Sequence, residues 1–168
     1  MSEKRTPSAA SGAQVIWDRT YPVPVEKCWA LWTTQAGLES WWPPVGFRSR
    51  FHLIEARENG KLRYEMVAES PEVQAFLRGR GMALSSTQQA RFSEFRLHEC
   101  VEIAIWMDFV PNVTPYENII RVEFSQNRVN GKVRMVVSMP PAHSEEFTKI
   151  CVATLVNEQL PTFGKQLG

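Results

Sequence analysis

A small set of side chains in this sequence could take part in acid–base chemistry. Histidine changes its charge near neutral pH, and tyrosine and carboxylates act as acids or bases when a fold places them at a substrate. A working pair must lie within hydrogen-bond reach of one substrate atom, and the sequence alone brings no two of these groups together. No catalytic residue is therefore predicted, and whether the protein is an enzyme stays open. The candidates are His52, His98, His143, Tyr64, Glu65, Glu102, Asp108 and Glu123.

The histidines lack the spacing of a metal site. They form no H-x-x-x-H or H-E-x-x-H pattern, and no carboxylate cluster accompanies them. The sequence also has no nucleophile elbow G-x-S-x-G, no P-loop and no G-x-G-x-x-G. We therefore predict neither a metal nor a cofactor.

The charges of the chain are nearly balanced. Among 168 residues, Lys and Arg total 19 and Asp and Glu total 18, so no long-range field attracts nucleic acid or an anionic membrane. The stretch RGRG at residues 78–81 is too short for an RNA-binding run and predicts a solvated loop. No apolar run approaches the roughly 20 residues of a membrane span. We expect neither nucleic acid nor membrane insertion, and a homodimer is left open.

The cysteines indicate a reducing compartment. Cys28, Cys100 and Cys151 stand far apart without a C-x-x-C pair, and an odd number cannot form a complete set of disulfides. The N-terminus lacks the apolar stretch of a signal peptide, so a cytoplasmic location is expected. Residues 1–14 are small, polar and aperiodic and predict a flexible tail, and residues 15–168 predict a single domain.

The N-terminal part predicts one strand and two short helices. Residues 15–21 are rich in strand formers, and apolar residues at helical spacing begin after Pro24. Thr34 can cap a second helix, which Pro43 ends. The first helical face consists of Val25, Cys28, Trp29 and Trp32.

Two adjacent tryptophans lie at the end of the second predicted helix. Neighbouring helical positions point about 100° apart, so we expect Trp41 and Trp42 to face different environments. We predict that one lies in the core and the other at the rim of a pocket. A purely structural role for both is the alternative.

The following segments alternate with period two and predict an antiparallel meander of six strands, with a turn at residues 58–60 and a second hairpin around residues 127–131. Period two places alternate residues on one face of a strand. Tyr64 and Met66 then share one face, as do Ile105, Met107 and Phe109.

The last segment returns to helical spacing. Ser144 can cap a helix over residues 144–160, which Pro161 ends or kinks, and Phe147, Cys151 and Leu155 form its stripe toward the sheet. Residues 70–90 fit neither period and predict a long mobile loop with at most one helical turn.

This order, β-α-α-β6-α, resembles the START-like (SRPBCC, helix-grip) superfamily, and in particular homologues of the activator of Hsp-ninety ATPase. The entry RTYPVPVEKCWALWT and the exit LESWWPPVGF carry the resemblance, which spans about residues 15–165. It implies an α+β helix-grip fold in which a curved, mostly antiparallel seven-stranded sheet wraps the long C-terminal helix, with a cavity between the two. The matching positions are Arg19, Val25, Trp29, Trp41, Trp42 and Pro44.

The predicted ligand is a small hydrophobic or amphipathic molecule held in that cavity. Six Met, nine Phe and six Trp supply more large apolar side chains than a one-sided sheet needs, although a plain core would also use them. We expect Tyr64, Met66, Met107 and Phe147 to line the cavity, with Trp42 and Phe47 near its mouth. The full predicted site is Trp42, Phe47, Tyr64, Met66, Ile105, Met107, Phe109, Phe147, Cys151 and Leu155.

Two other functions remain open. A cyclase or hydratase in the same cavity would require a polar side chain with a perturbed pKa inside it. A chaperone-linked interaction module would require an exposed apolar or charged patch, and a sealed cavity would favour it.

Overall fold

A seven-stranded antiparallel sheet and a long C-terminal helix form the computed structural model, which describes residues 12–168. The predicted α+β helix-grip fold is confirmed. Residues 1–11 of the predicted tail lie outside the described residues, and Gln14 already begins the first strand. The elements are β1 (Gln14–Tyr21), α1 (Val25–Thr33), α2 (Gln35–Trp41), β2 (Phe47–Ile54), β3 (Lys61–Ala68), α3 (Pro71–Gly79), β4 (Ser85–Arg96), β5 (Cys100–Met107), β6 (Tyr116–Gln126), β7 (Val133–Met139), α4 (Glu145–Thr154), a π-helical turn (Leu155–Gln159) and α5 (Leu160–Lys165).

The strands follow the order β1-β7-β6-β5-β4-β3-β2, and every neighbouring pair is antiparallel. β5 lies at the centre and is buried on both faces from Cys100 to Ile105. On its outer face, Glu102 accepts hydrogen bonds from Ser93 Oγ at 2.9 Å and from Arg121 at 3.2 Å. These partners compensate a carboxylate that is only 3% exposed.

The two short helices form as the sequence predicts. Thr34 caps α2, since its Oγ1 accepts a hydrogen bond from Gly37 N at 3.0 Å. Gly37 packs against α1 so closely that an added Cβ would lie 2.3 Å from the Ala30 carbonyl oxygen. Glu39 then connects α2 to the sheet by accepting a hydrogen bond from Phe51 N at 2.7 Å.

The C-terminal helix continues past Pro161. Ser144 caps it as predicted, because its Oγ accepts from Phe147 N at 3.1 Å. A proline inside a helix removes one hydrogen bond and crowds the carbonyl four residues earlier. The π-helical turn Leu155–Gln159 precedes Pro161 and changes this spacing, with Leu160 N donating to Leu155 O. The helix therefore extends through α5 to Lys165 instead of ending at the proline.

The prediction of a long loop over residues 70–90 is wrong, because this segment contains a helix and half of a strand. Ser70 caps the helix α3 by accepting from Val73 N at 3.2 Å, and Pro71 occupies the first helical turn. Residues 85–90 form the first half of β4 and pair with β3 from Ser85 to Ala90. The strand has a polar sequence because one of its faces is solvent-exposed and the other carries Gln88. This composition lacks the apolar alternation that predicts a strand.

Hydrogen exchange should divide this segment in two. The amides of residues 85–90 are expected to exchange as slowly as those of β3, because they belong to a paired strand. The amides of α3 should exchange at least about tenfold faster, since Leu77 is its one buried residue in the described structure. Equal, fast exchange over residues 71–90 would indicate a loop over the whole segment.

Candidate ligand-binding cavity

A cavity of about 540 Å³ lies between the inner face of the sheet and α4. Strands β3 to β7 form its floor, and α3, α4 and the loop after α2 form its walls. It reaches the surface at three exposed apolar side chains, Val45, Phe76 and Ile150. The mouth therefore lies between the loop after α2 and the helices α3 and α4.

The cavity exists because the C-terminal helix is packed tightly only in its second half. Leu155, Leu160 and Phe163 are buried, whereas no residue of α4 is buried. Phe147 and Cys151 consequently line the cavity and are only partly buried against the core. Because the helix packs closely on the protein only at its C-terminal end, space for a ligand remains between its N-terminal half and the sheet.

Strand alternation determines the floor. Tyr64 of β3 pairs with Gln88 of β4, and Ile105 of β5 pairs with Asn118 of β6. Residues on one face recur every second position, so Met107 also points inward. The floor is thus apolar with two amide side chains, at Gln88 and Asn118.

All ten residues of the predicted site line this one cavity. They are Trp42, Phe47, Tyr64, Met66, Ile105, Met107, Phe109, Phe147, Cys151 and Leu155. The position expected for Trp42, near the mouth, is wrong. Its side chain is 3% exposed and packs edge-to-face on Tyr64, with ring centroids 5.9 Å apart, so it forms an inner wall.

The two adjacent tryptophans have different surroundings. Trp41 lies in the core, where its Nε1 donates to the Leu31 carbonyl at 2.7 Å and its ring packs edge-to-face on Trp32 and Phe163. Trp42 contacts Trp41 on one side and borders the cavity on the other. Trp41 is thus part of the core, and Trp42 lies between the core and the cavity.

The sequence analysis missed part of the lining. Helix α3 contributes Val73, Phe76 and Leu77, which belonged to the predicted loop. Asn118 was also overlooked, although a signal existed. It occupies the same face of β6 as the buried Ile120, and an asparagine inside an apolar stripe is unusual.

The polar groups of the cavity differ in whether they have hydrogen-bond partners. Gln88 Nε2 donates to Ser86 Oγ at 3.3 Å. Asn118 Oδ1 is buried and has no hydrogen-bond partner within residues 12–168. Burial raises the pKa of Tyr64, and a hydrogen bond with Trp42 opposes this only in part, so its hydroxyl stays protonated.

The π-helical turn attaches the helix to one side of the mouth. Glu158 Oε1 accepts a hydrogen bond from Val45 N at 2.9 Å. Gln159, the next residue, is buried and donates its side-chain amide to the Trp42 carbonyl. A wider turn lets consecutive side chains contact the same loop, and such turns are frequent at functional sites.

The acid–base candidates do not gather in the cavity, apart from Tyr64. Glu102 and Glu123 contact Arg121 on the outer face of the sheet. His52 faces Glu65 at 3.4 Å on an exposed surface, and His98 packs on Trp29. His143 contacts Tyr116 at 2.9 Å beside the start of α4. Within residues 12–168, no group of three or more His, Cys, Asp or Glu side chains could hold a metal ion.

The three cysteines are free and differ in their surroundings. Cys28 and Cys100 are fully buried in the protein, whereas Cys151 lines the cavity. Burial raises the pKa of the Cys151 thiol to about 11. Because the thiolate is the reactive form, Cys151 should be a slow nucleophile at neutral pH.

Alkylation of folded protein should therefore modify Cys151 first and depend strongly on pH. We expect the rate to rise about tenfold per pH unit from pH 7 to 10, since the thiolate fraction grows in this way below the pKa. An unperturbed cysteine, with a pKa near 8.5, levels off above about pH 9. Peptide mapping of the modified thiols measures the site and the rate. A rate for Cys151 that levels off near pH 9 would contradict the burial described here.

Comparisons with solved structures show the same fold. The chain is similar to a protein from Chromobacterium violaceum, with a TM-score of 0.69 and 16% identity over 94% of this chain and 97% of that one. It is similar to the AHSA1 protein from Silicibacter pomeroyi, with a TM-score of 0.66 and 14% identity over 92% and 96% of the two chains. The AHSA1-like protein from Aeromonas hydrophila matches with a TM-score of 0.56 and 11% identity, over 90% of each chain.

These likenesses confirm the predicted helix-grip fold, and an AHSA1 protein and an AHSA1-like protein are among the structures that share it. No protein-family profile matches the sequence. No curated protein matches it either. Among residues 12–168, no helix has the length and apolar character needed to cross a membrane.

Proposed function

We propose that this protein binds a small apolar or amphipathic molecule in the cavity between the sheet and the C-terminal helix. The observation that carries the proposal is an apolar cavity of about 540 Å³ that reaches the surface. Ligand sites of proteins typically measure about 300–1,000 Å³ and combine an apolar lining with a few polar groups. Helix α4 also supports ligand binding, because none of its residues is buried and a ligand would remove its apolar side chains from water.

The type of lining supports an adaptable site. Four of the six methionines line the cavity, namely Met66, Met82, Met107 and Met139. Methionine is unbranched and flexible, so it fits ligands of different shape. We therefore propose a site that accepts a class of apolar molecules.

The observations favour binding over the two alternatives. The carboxylates of the lining are Glu72, exposed on α3, and Glu158, which accepts the Val45 amide. Within residues 12–168, neither forms an ion pair or a side-chain hydrogen bond with a second titratable group. An interaction module would be favoured by a sealed cavity, whereas this cavity reaches the surface at Val45, Phe76 and Ile150.

Titration with the neutral dye Nile red tests the proposal. We expect saturable one-to-one binding with an increase in fluorescence and an unchanged circular dichroism spectrum. Bound dye should also slow the alkylation of Cys151, because both occupy the cavity. Dye that binds without saturation, or without protection of Cys151, would oppose the proposal.

A further inference from the structure

Two carboxylates lie at the mouth of the cavity. Glu72 is an exposed lining residue of α3, one helical turn before Phe76 of the mouth. Glu158 lines the cavity from the π-helical turn, and its Oε1 accepts a hydrogen bond from Val45 N, also at the mouth, at 2.9 Å. The two carboxylates therefore belong to different walls and border the same opening.

The lining contains no positive charge that balances these carboxylates. Among the described residues that line the cavity, none is Lys, Arg or His. Within residues 12–168, neither carboxylate takes part in an ion pair. Two cations lie next to mouth residues but outside the lining: Arg80 stacks 4.4 Å from the ring centroid of Phe76, and Lys149 pairs with Glu145 at 3.3 Å. The charge of the lining itself is therefore negative.

The floor offers a ligand one uncharged polar group, at Asn118. This residue is 5% exposed, and its side-chain amide has no hydrogen-bond partner within residues 12–168. Because the amide oxygen is fully buried, the nitrogen, a donor, is the atom left for a ligand oxygen. A single uncharged donor does not replace a cation, so an anionic head group placed on the floor would be desolvated without compensation. The charge of a ligand is consequently selected at the mouth.

We infer that the cavity takes amphipathic cations, such as long-chain amines, in preference to fatty-acid anions. The inference rests on the proposed function, because it assigns the head group of a ligand of the same cavity. The apolar chain lies against the methionines and α4, and the ammonium group stays at the mouth beside Glu72 and Glu158. There it remains hydrated, so its attraction to the carboxylates is modest and depends on ionic strength.

Displacement of Nile red by decylamine, decanol and decanoate tests the inference. The three molecules share one alkyl chain, and at neutral pH they are a cation, an uncharged molecule and an anion. We expect decylamine to bind at least about tenfold more tightly than decanoate, because the carboxylates attract one head group and repel the other. An ionic strength of about 0.5 M should reduce this ratio to about threefold, since salt screens exposed charges. A preference that arises from shape alone would not respond to salt.

The double variant Glu72→Gln/Glu158→Gln removes both charges at nearly constant size. The oxygen of glutamine can still accept the hydrogen bond from Val45 N, so the Tm should stay close to that of the wild type. At low ionic strength the ratio of the two affinities should fall to within about twofold, while decanol binds as before. Glu58→Gln removes the same charge at an exposed position outside the lining and should keep the wild-type ratio.

Equal affinity for decylamine and decanoate, tighter binding of decanoate, or a ratio that neither salt nor the double variant changes would overturn this inference. The proposed function would then still stand, provided that Nile red and decanol bind. If neither the dye nor any of the three molecules binds, both are wrong.

Discussion

Met107→Trp is expected to weaken Nile red binding by at least about tenfold while the protein stays folded. Met107 lies on the floor and lines the cavity together with Phe147 of α4. An indole at this position would occupy the space between the sheet and the helix. Because the side chain enters existing space, the free energy of unfolding should fall by only about 1–3 kcal/mol. Dye titration and urea denaturation measure the two effects.

Two controls distinguish filling of the cavity from general damage. Leu97→Trp adds the same indole at an exposed position and should leave dye binding unchanged. Met135→Trp places it in the core, where Met135 is fully buried and its sulfur accepts from Trp32 Nε1 at 3.4 Å, and should destabilise the protein severely. If Met107→Trp unfolds the protein as Met135→Trp does, the site at Met107 is ordinary core.

Trp41→Ala is expected to have the largest effect on stability, about 3–5 kcal/mol. Trp41 is fully buried, packs on Trp32 and Phe163, and donates to the Leu31 carbonyl. The substitution removes these ring contacts and leaves that carbonyl without its partner. A small domain has only about 5–15 kcal/mol of total stability, so part of the variant should be unfolded at 37 °C.

Trp42→Ala provides the matched comparison. Trp42 has contacts on the side of Trp41 and Tyr64, but it borders the cavity on its other side. Fewer contacts are lost, so we expect a cost of about 2–3 kcal/mol together with altered dye affinity. Urea denaturation of both variants measures the difference. Equal costs, with unchanged dye binding by Trp42→Ala, would mean that both tryptophans serve only the core.

Local sequence signals determined most of the elements. Thr34 and Ser144 cap helices because their side-chain oxygens accept hydrogen bonds from amides three residues ahead, a contact that needs no distant part of the chain. Alternation in β3 and β5 likewise indicated that Tyr64 and Met107 point inward, since the direction of a side chain in a strand depends on its position alone. The helix α3 had a local signal too, in Ser70 and Pro71, but its polar composition concealed it.

The tertiary structure decided what the inward-facing residues meet. The same helix packs into the core at Leu160 and Phe163 and lines an open cavity at Phe147 and Cys151. Periodicity records the direction of a side chain and carries no information about the distance to the opposite surface. The π-helical turn before Pro161 and the unsatisfied Asn118 Oδ1 also depend on neighbours distant in sequence. The sequence by itself therefore determined the elements and their inward faces, whereas only the packing of the helix against the sheet determined that a cavity separates them.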